Sequence, residues 1–464
     1  MSAGPRFELD AEVRRRDRGR LLVGGTPPRL VRLSEAGAAA LDAILAAPPT
    51  AATAPAGRLE LHGLIHPLPG DGADDAAVTA VVPVLDGGER LGTLVAALAA
   101  EGPVIVVDDG SRDGSGERAE RAGARVIRHD SPRGPAAARN AGLAVAGTEL
   151  VAFVDADCEV APGWRRGLAA LFAADPELAL LAPRVRSAPG GSALARHEEA
   201  GSPLDLGPHA SLVGLDRRIT YLPAAALLAR RDALLALGGY DESMRFGEDV
   251  DLVWRALAAG HRARYAPSRE VAHRPRPSVA AFARQRAGYG GSAPELVRRH
   301  GSAAAPLRAS RHSTLIWSAT ALLGPRALLP ALATSTAIVA RRGGDRRSRE
   351  ALAELSLRGQ AGATTHLARV LTREWLPLLL ALATVSRRAR RTLLVAALVD
   401  SLPAWTAAAR AAGADPAELT RATALHALDR AAYAAGMWRE MARRRDFRAL
   451  RPAPPRSSPA AARR

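Results

Sequence analysis

Apolar and polar positions alternate along the first half of the chain in a β-α-β rhythm. Residues 78–85, 104–107 and 150–154 are short apolar runs, the mark of strands buried on both faces of a parallel sheet. Residues 89–100 repeat apolar positions at helical spacing, the next helix falls near 116–122, and residues 125–128 read as a further strand. Pro83 falls near the end of its run, where a missing amide costs little. Beyond residue 160 the pattern predicts a helix over 162–173 and a strand over 178–185. Strand-like structure follows over 221–230, then a helix over 250–259 and a strand over 264–272. Residues 187–202, rich in Gly, Ser, Pro and charge, read as a mobile loop. The rhythm predicts an α/β fold.

Both ends of the chain are patterned differently. Residues 20–23 and 29–33 read as two short strands around the turn Gly24-Gly25-Thr26-Pro27-Pro28. Ser34 is placed to cap a helix over 35–47, in which Ala38, Leu41, Ile44 and Leu45 recur at helical spacing, and residues 48–56 form a linker. In the last third, residues 313–323, 327–340, 375–386 and 392–399 are uncharged, mostly apolar runs. They are broken by Gly324-Pro325-Arg326 and by Arg387-Arg388-Ala389-Arg390-Arg391. None has the roughly 20 uninterrupted apolar residues of a membrane span. Apolar runs flanked by Arg, with Trp317, Trp375 and Trp405 nearby, suit helices lying in a membrane interface. Three segments result: a small unit over 1–70, the α/β domain over 77–290, and a basic Ala/Leu-rich helical region over 291–464.

Charge sharpens the picture of the last segment. The net charge is +17, and all 64 basic residues are Arg, which reflects nucleotide-composition bias more than chemistry. Residues 1–260 hold 28 Arg against 35 acids, and residues 261–464 hold 36 Arg against 12, so the halves carry −7 and +24. The basic half points to an anionic surface. Because its Arg clusters flank apolar runs, phospholipid headgroups are the expected partner rather than nucleic acid. Cys158 is the only cysteine, which excludes an intramolecular disulfide framework. No apolar run of signal-peptide length follows Met1, so the expected location is the cytoplasm, at the inner face of the cell membrane.

Acidic residues collect where the predicted strands end. The apolar run over 150–154 leads straight into Asp155-Ala156-Asp157. Ligands bind beyond the carboxyl ends of strands in open α/β sheets, and Asp-x-Asp there suits a divalent cation that also touches phosphate. Alone, the tripeptide is equally an ordinary turn. The run over 104–107 likewise ends in Asp108-Asp109-Gly110-Ser111, and no G-x-G-x-x-G or P-loop signature occurs in the segment. Arg139 is placed to reach a phosphate or orient an acid, and Asn140 beside it is the only Asn in the chain. Phe246-Gly247-Glu248-Asp249-Val250-Asp251 opens a helix whose amides favour carboxylates. His273 follows the strand over 264–272, among Arg274 and Arg276.

The order Val-Val-Pro, Val-Val-Asp-Asp-Gly-Ser, Gly-Pro-Ala-Ala-Ala-Arg-Asn-Ala-Gly and Phe-Val-Asp-Ala-Asp resembles glycosyltransferase family 2 over roughly residues 78–275. The resemblance implies a GT-A nucleotide-sugar-binding domain that transfers sugar with inversion. It implies a donor-binding set of Asp108, Asp109, Arg139 and Asp155, with Asp109 on uracil or ribose and Asp155 on ribose or the metal shell. Asp157 would hold the Mn2+ or Mg2+ ion that bridges the diphosphate, with His273 completing its ligands. Asp249 would be the catalytic base and Glu248 would orient the acceptor, with residues 187–202 over the acceptor side. Two features depart from the family. Val84-Leu85-Asp86 stands where an aromatic and an Asn are common, and Arg284-Gln285-Arg286 resembles the basic element beneath the diphosphate but lacks a following Trp.

The hairpin and helix at the start resemble the winged-helix-like peptide-recognition units that accompany ribosomal-peptide modifying enzymes. Such a unit either docks a peptide along its sheet edge or caps the next domain. The whole layout, with Leu22-Val23-Gly24-Gly25-Thr26-Pro27, resembles the branch of the family found in mycofactocin systems. That resemblance implies a UDP-sugar donor, glucose in a β-1,4 chain, and a premycofactocin-type hydroxyl acceptor. A family enzyme making a cell-surface polysaccharide or glycolipid shares the same residues. A non-enzymatic polyanion- or membrane-binding protein is the alternative of another class.

Overall fold

The computed structural model describes residues 6–46, 54–70, 76–412 and 415–453, so most of the expected linker lies outside the described residues. The chain divides into two compact units, Met1–Arg276 and Pro277–Arg464.

The first unit opens with β1 (Arg6–Leu9), β2 (Arg14–Arg16), β3 (Leu21–Gly24), β4 (Arg29–Arg32), α1 (Glu35–Ala46), α2 (Ala54–Leu61) and β5 (Ile65–Leu68). Strands β2, β3 and β4 form an antiparallel sheet and β1 pairs with β5. The Ser34 hydroxyl caps α1 by accepting the amide of Gly37 at 3.0 Å, as its position predicts. Phe7, Leu22, Leu41, Ile44, Leu59 and Leu64 give this opening segment a small core of its own. Polar contacts fasten it to the α/β domain. Arg264, 2% exposed, pairs with Glu60, and Arg217 donates to the carbonyls of Thr26 and Leu61 at 2.8 and 2.7 Å.

The α/β domain runs through β6 (Val78–Val84), α3 (Leu91–Ala99), β7 (Val104–Asp108), α4 (Ser115–Arg121), β8 (Arg125–Arg128), α5 (Pro135–Val145), β9 (Leu150–Val154) and β10 (Cys158–Val160). It continues with α6 (Leu168–Ala174), β11 (Leu178–Ser187), α7 (Ala193–Gly201), β12 (Ser211–Leu212), β13 (Ala226–Arg230), α8 (Arg231–Ala236), α9 (Glu248–Ala258) and β14 (Arg262–His273). These strands form one nine-stranded sheet in the order β10-β14-β11-β13-β9-β6-β7-β8, with β12 beside β14. Neighbours from β8 to β9 are parallel and β13 is antiparallel to both of its partners. The apolar runs become strands because Val81, Val82, Val106, Val107, Val151 and Phe153 are all buried between helix layers.

One expectation is corrected. Residues 187–202 are not a mobile loop: β11 extends to Ser187, and α7 is capped by the Ser192 hydroxyl and buries Leu194, Ala195 and Glu198. A Gly/Ser/Pro cluster marks only the turn before the cap.

The second unit is helical: α10 (Val279–His300), α11 (Arg311–Leu323), α12 (Leu328–Ala340), α13 (Arg346–Thr372), α14 (Leu376–Val385), α15 (Arg387–Ala412) and α16 (Pro416–Arg444). Helices α10 and α16 touch backbone to backbone. A Cβ on Gly290 would lie 1.9 Å from the Tyr433 carbonyl, and one on Gly436 would lie 1.8 Å from that of Ala287. Arg286 pairs with Asp429 at 3.4 Å inside this unit.

Candidate active site

The acids gather along one rim of the large sheet because the parallel strands β7 and β9 both end there. Asp108 closes β7 and is fully buried. Its carboxylate accepts the Ser111 amide at 2.8 Å and pairs with Arg128, so it holds the turn and offers no surface to a ligand. Gly110 makes that turn at φ 87°, in the left-handed region. Asp109 is fixed from the other side. It accepts His129 Nδ1 at 2.6 Å and the amides of Arg133 and Gly134 at 2.9 and 2.7 Å. His129 follows β8, the parallel neighbour of β7, so sheet order alone brings it to Asp109.

Asp155 and Asp157 leave β9, and β10 starts immediately after them. Strand β10 pairs antiparallel with the end of β14, in a register that sets Cys158 opposite His273. Asp157 is thereby delivered to His273, with Oδ1 3.2 Å from Nε2. Ligand atoms of Asp155, Asp157 and His273 all lie within 4.8 Å of one another. Arg276 Nη2 donates to Asp157 Oδ2 at 2.6 Å. Burial would raise the Asp157 pKa, but the His273 hydrogen bond and the charge on Arg276 outweigh it and hold the carboxyl well below the usual range.

Glu248 and Asp249 open α9 behind Gly247, which turns at φ 78°. The two acid groups are tied together by Arg139 on α5. Its Nη2 donates to Asp155 Oδ1 at 2.7 Å and its Nη1 to Glu248 Oε1 at 2.9 Å, while the guanidinium lies 5.4 Å from the centre of the Tyr240 ring. Arg139 is 4% exposed, so in this structure it orients carboxylates and does not reach outward for a phosphate. Asn140 clamps the turn before α9, donating to the Tyr240 carbonyl and accepting its amide, each at 2.8 Å. Burial and the neighbouring Asp249 charge push Glu248 up to about 7 against the pull of Arg139. Asp249 is also raised, chiefly by burial, although its carboxylate accepts the Val250 amide at 2.8 Å. Asp251 is held by Arg255 at 2.7 Å and serves the helix.

Of the residues expected from sequence, Asp109, Arg139, Asp155, Asp157, Glu248, Asp249 and His273 lie along this rim, whereas Asp108, expected in the donor-binding set, is corrected to a buried residue that holds the turn. Sequence reasoning missed His129, whose only signal is its place after a strand beside the Asp-Asp strand. The bonding of Arg276 was also missed, because it depends on a three-residue strand.

The profile described as glycosyl transferase family 2 matches residues 79–234. Over 458 residues the chain is 37% identical to the pre-mycofactocin glycosyltransferase of Mycobacterium tuberculosis, covering 96% of this chain and 97% of that one. A succinoglycan biosynthesis protein of Rhizobium meliloti is 32% identical over 173 residues, 34% of this chain and 49% of that one. Among solved structures, a mannosyltransferase from Pyrobaculum calidifontis in complex with GDP-Man and Mn2+ aligns with 17% identity and a TM-score of 0.42. The alignment covers 80% of this chain and 90% of that one. With 37% identity sustained over 96% of the chain to the pre-mycofactocin glycosyltransferase, the chain belongs to glycosyltransferase family 2 and is a glycosyltransferase with the α/β fold of that family.

Proposed function

We propose that this enzyme transfers a hexose, glucose in a β-1,4-linked chain, from a UDP-sugar to a hydroxyl of the mycofactocin precursor, with inversion. The observation that carries the acceptor assignment is the 37% identity with the pre-mycofactocin glycosyltransferase, sustained over 96% of the chain rather than over the donor-binding domain alone.

The donor set and the acceptor set face each other across Arg139. Asp109, oriented by His129 and two backbone amides, lies where the base or ribose is read. Asp155, Asp157 and His273 offer two carboxylate oxygens and one imidazole nitrogen within 4.8 Å, a donor set that fits Mn2+ or Mg2+ and leaves coordination positions for phosphate and water. A cation held there would offset charge on the departing diphosphate. Asp249 takes the acceptor hydroxyl's proton as that oxygen attacks the anomeric carbon, and the bond to the diphosphate breaks on the opposite face. Its raised pKa brings it closer to the basicity that this proton transfer needs. Glu248, braced by Arg139, orients the acceptor. Arg139 acts through these acids and is a positioning residue.

The location we propose is the cytoplasmic face of an anionic membrane. Leu394, Val395, Leu398 and Leu402 are each more than half exposed on one face of α15, and the exposed Arg387, Arg388, Arg390 and Arg391 stand at its start. Apolar surface beside a cluster of exposed positive charge matches a bilayer of anionic lipid.

Incubating the purified enzyme with UDP-glucose, Mn2+ and a premycofactocin-type acceptor tests the function. A hexose mass increment on that acceptor supports it. Transfer to lipid or polysaccharide acceptors only would assign the enzyme to surface-glycan synthesis.

A further inference from the structure

Arg276 occupies the same two side chains that the proposed cation needs. Its Nη2 lies 2.6 Å from Asp157 Oδ2 and 3.3 Å from His273 Nε2. To ligate a metal, His273 must be neutral with its Nε2 lone pair aimed at the ion. In this structure Nε2 lies 3.2 Å from Asp157 Oδ1 and 3.3 Å from Arg276 Nη2, so it is spent either as a donor to the carboxylate or as an acceptor from the guanidinium, and neither use leaves a lone pair for an ion. Asp157 faces the same competition, because a dication and a guanidinium on one carboxylate repel each other in a half-buried site. Metal binding and the Arg276 contacts therefore oppose each other, since Arg276 touches both Asp157 and His273.

The backbone around Arg276 is pinned, so the side chain moves alone. The Arg276 amide donates to Glu198 Oε2 at 2.6 Å, the Arg274 amide to the Asp157 carbonyl at 3.0 Å, and the Ala188 amide to the His273 carbonyl at 2.8 Å. Glu198 is 6% exposed on α7, so this anchor belongs to the packed helix behind the site. A guanidinium pivoting from a fixed Cα beside the cation stays near whatever the cation binds. Its planar fork of N–H donors matches two oxygens of a phosphate.

We propose that Arg276 is a built-in competitor for the cation site that transfers to the donor's diphosphate when metal and nucleotide arrive together. The proposal rests on the reading of Asp155, Asp157 and His273 as metal ligands. In the donor-free enzyme Arg276 keeps Asp157 and His273 as a preformed pair. In the loaded enzyme it adds a charge-assisted bond to the leaving group. Metal and nucleotide must then strengthen each other's binding, because each is helped by the same side-chain movement, and linkage makes that coupling reciprocal.

The test uses the full chain and reads binding, not turnover. Mn2+ affinity is measured by electron paramagnetic resonance of free Mn2+, without and with UDP, for wild type, Arg276→Met and Arg276→Lys. UDP affinity is measured by calorimetry at saturating Mn2+. The expected result for Arg276→Met is opposite in sign for the two ligands: Mn2+ alone binds about fivefold or more tightly than in wild type, while UDP binds about fivefold or more weakly. Arg276→Lys keeps the charge without the fork, so Mn2+ alone binds as in wild type and UDP binds more weakly. A structural brace would weaken both ligands in both variants, and that result, or unchanged Mn2+ binding in Arg276→Met, overturns the proposal. If Arg276→Met fails to fold, the lysine variant decides: wild-type UDP affinity in it overturns the proposal. Wild-type enzyme that binds no Mn2+ even with UDP would instead remove the metal reading beneath it.

Discussion

Arg139 concentrates the electrostatics of the site in one side chain. Among the described residues its guanidinium is the positive partner of Glu248, and it also holds Asp155. Arg139→Met leaves these acids facing each other in a buried setting. Removing one partner of a buried pair costs about 3–5 kcal/mol, so a loss of that order is expected in denaturant unfolding. A change below about 1 kcal/mol would mean that solvent, not Arg139, balances the acids. The carboxylates also set a pH dependence. Asp249 accepts a proton only when ionised, and both it and Glu248 are raised, the latter to about 7. The rate constant kcat/KM is therefore expected to rise between roughly pH 6 and pH 8 with an apparent pKa belonging to the pair. Glu248→Gln removes a neighbouring negative charge and moves that limb to lower pH. A flat profile across this range would contradict the assignment of the pair. The same shift makes a stability statement of opposite sign: the folded state favours protonated Glu248, a contribution present below the ordinary value of 4.5 and lost as pH rises through about 7.

At the scale of elements, α10 and α16 depend on two glycines for their close approach. Gly436→Ala places a methyl 1.8 Å from the Ala287 carbonyl, so the helices must part. A loss of at least about 1–3 kcal/mol is expected from such overpacking. Gly359→Ala on α13 has nothing within 4 Å and should gain about 1 kcal/mol from helix propensity alone. Equal shifts of the unfolding midpoint in the two variants would show that the glycine contact has no energetic weight. These contacts lie beyond sequence reading, because a glycine in a helix does not announce what approaches it. The strands β6, β7 and β9 were legible since each is an apolar run buried on both faces. Strand β10 was not, being three residues long, and with it went the pairing that joins Asp157 to His273. Strands β1 and β2 were also missed: exposed or half-exposed arginines and acids occupy most of their positions, and a sheet edge tolerates what a core strand does not.

For the whole molecule, the proposed membrane association turns on the basic helical unit. Arg387–Arg410 is the stretch among the described residues that is long and apolar enough to cross one. Asp400 lies within it and is tied to its neighbours, accepting Thr372 Oγ1 at 2.8 Å, His426 Nε2 at 3.1 Å and Arg430 Nε at 2.8 Å. Crossing would pull this buried network apart. Helix α15 is therefore expected to stay in its bundle and present Leu394 and Leu398 to the lipid interface. Full-length protein should float with vesicles containing anionic phosphatidylglycerol and not with purely zwitterionic ones. Exchanging Arg387, Arg388, Arg390 and Arg391 for Gln should weaken vesicle binding by roughly a thousandfold, as expected for about 1 kcal/mol per arginine, and exchanging Leu394 and Leu398 for Ser should also reduce flotation. Self-association through the same leucines, seen as a concentration-dependent dimer with no vesicle binding, would contradict the membrane reading. The central claim concerns the rim of the large sheet, and it is tested most directly by Asp249→Asn. In wild type, UDP release from UDP-glucose with Mn2+ should require the precursor acceptor. In the variant, release should fall at least about a hundredfold, the usual scale for losing a general base, while UDP binding is retained. Turnover that survives in Asp249→Asn would contradict the account, because the acid that takes the proton would then lie elsewhere.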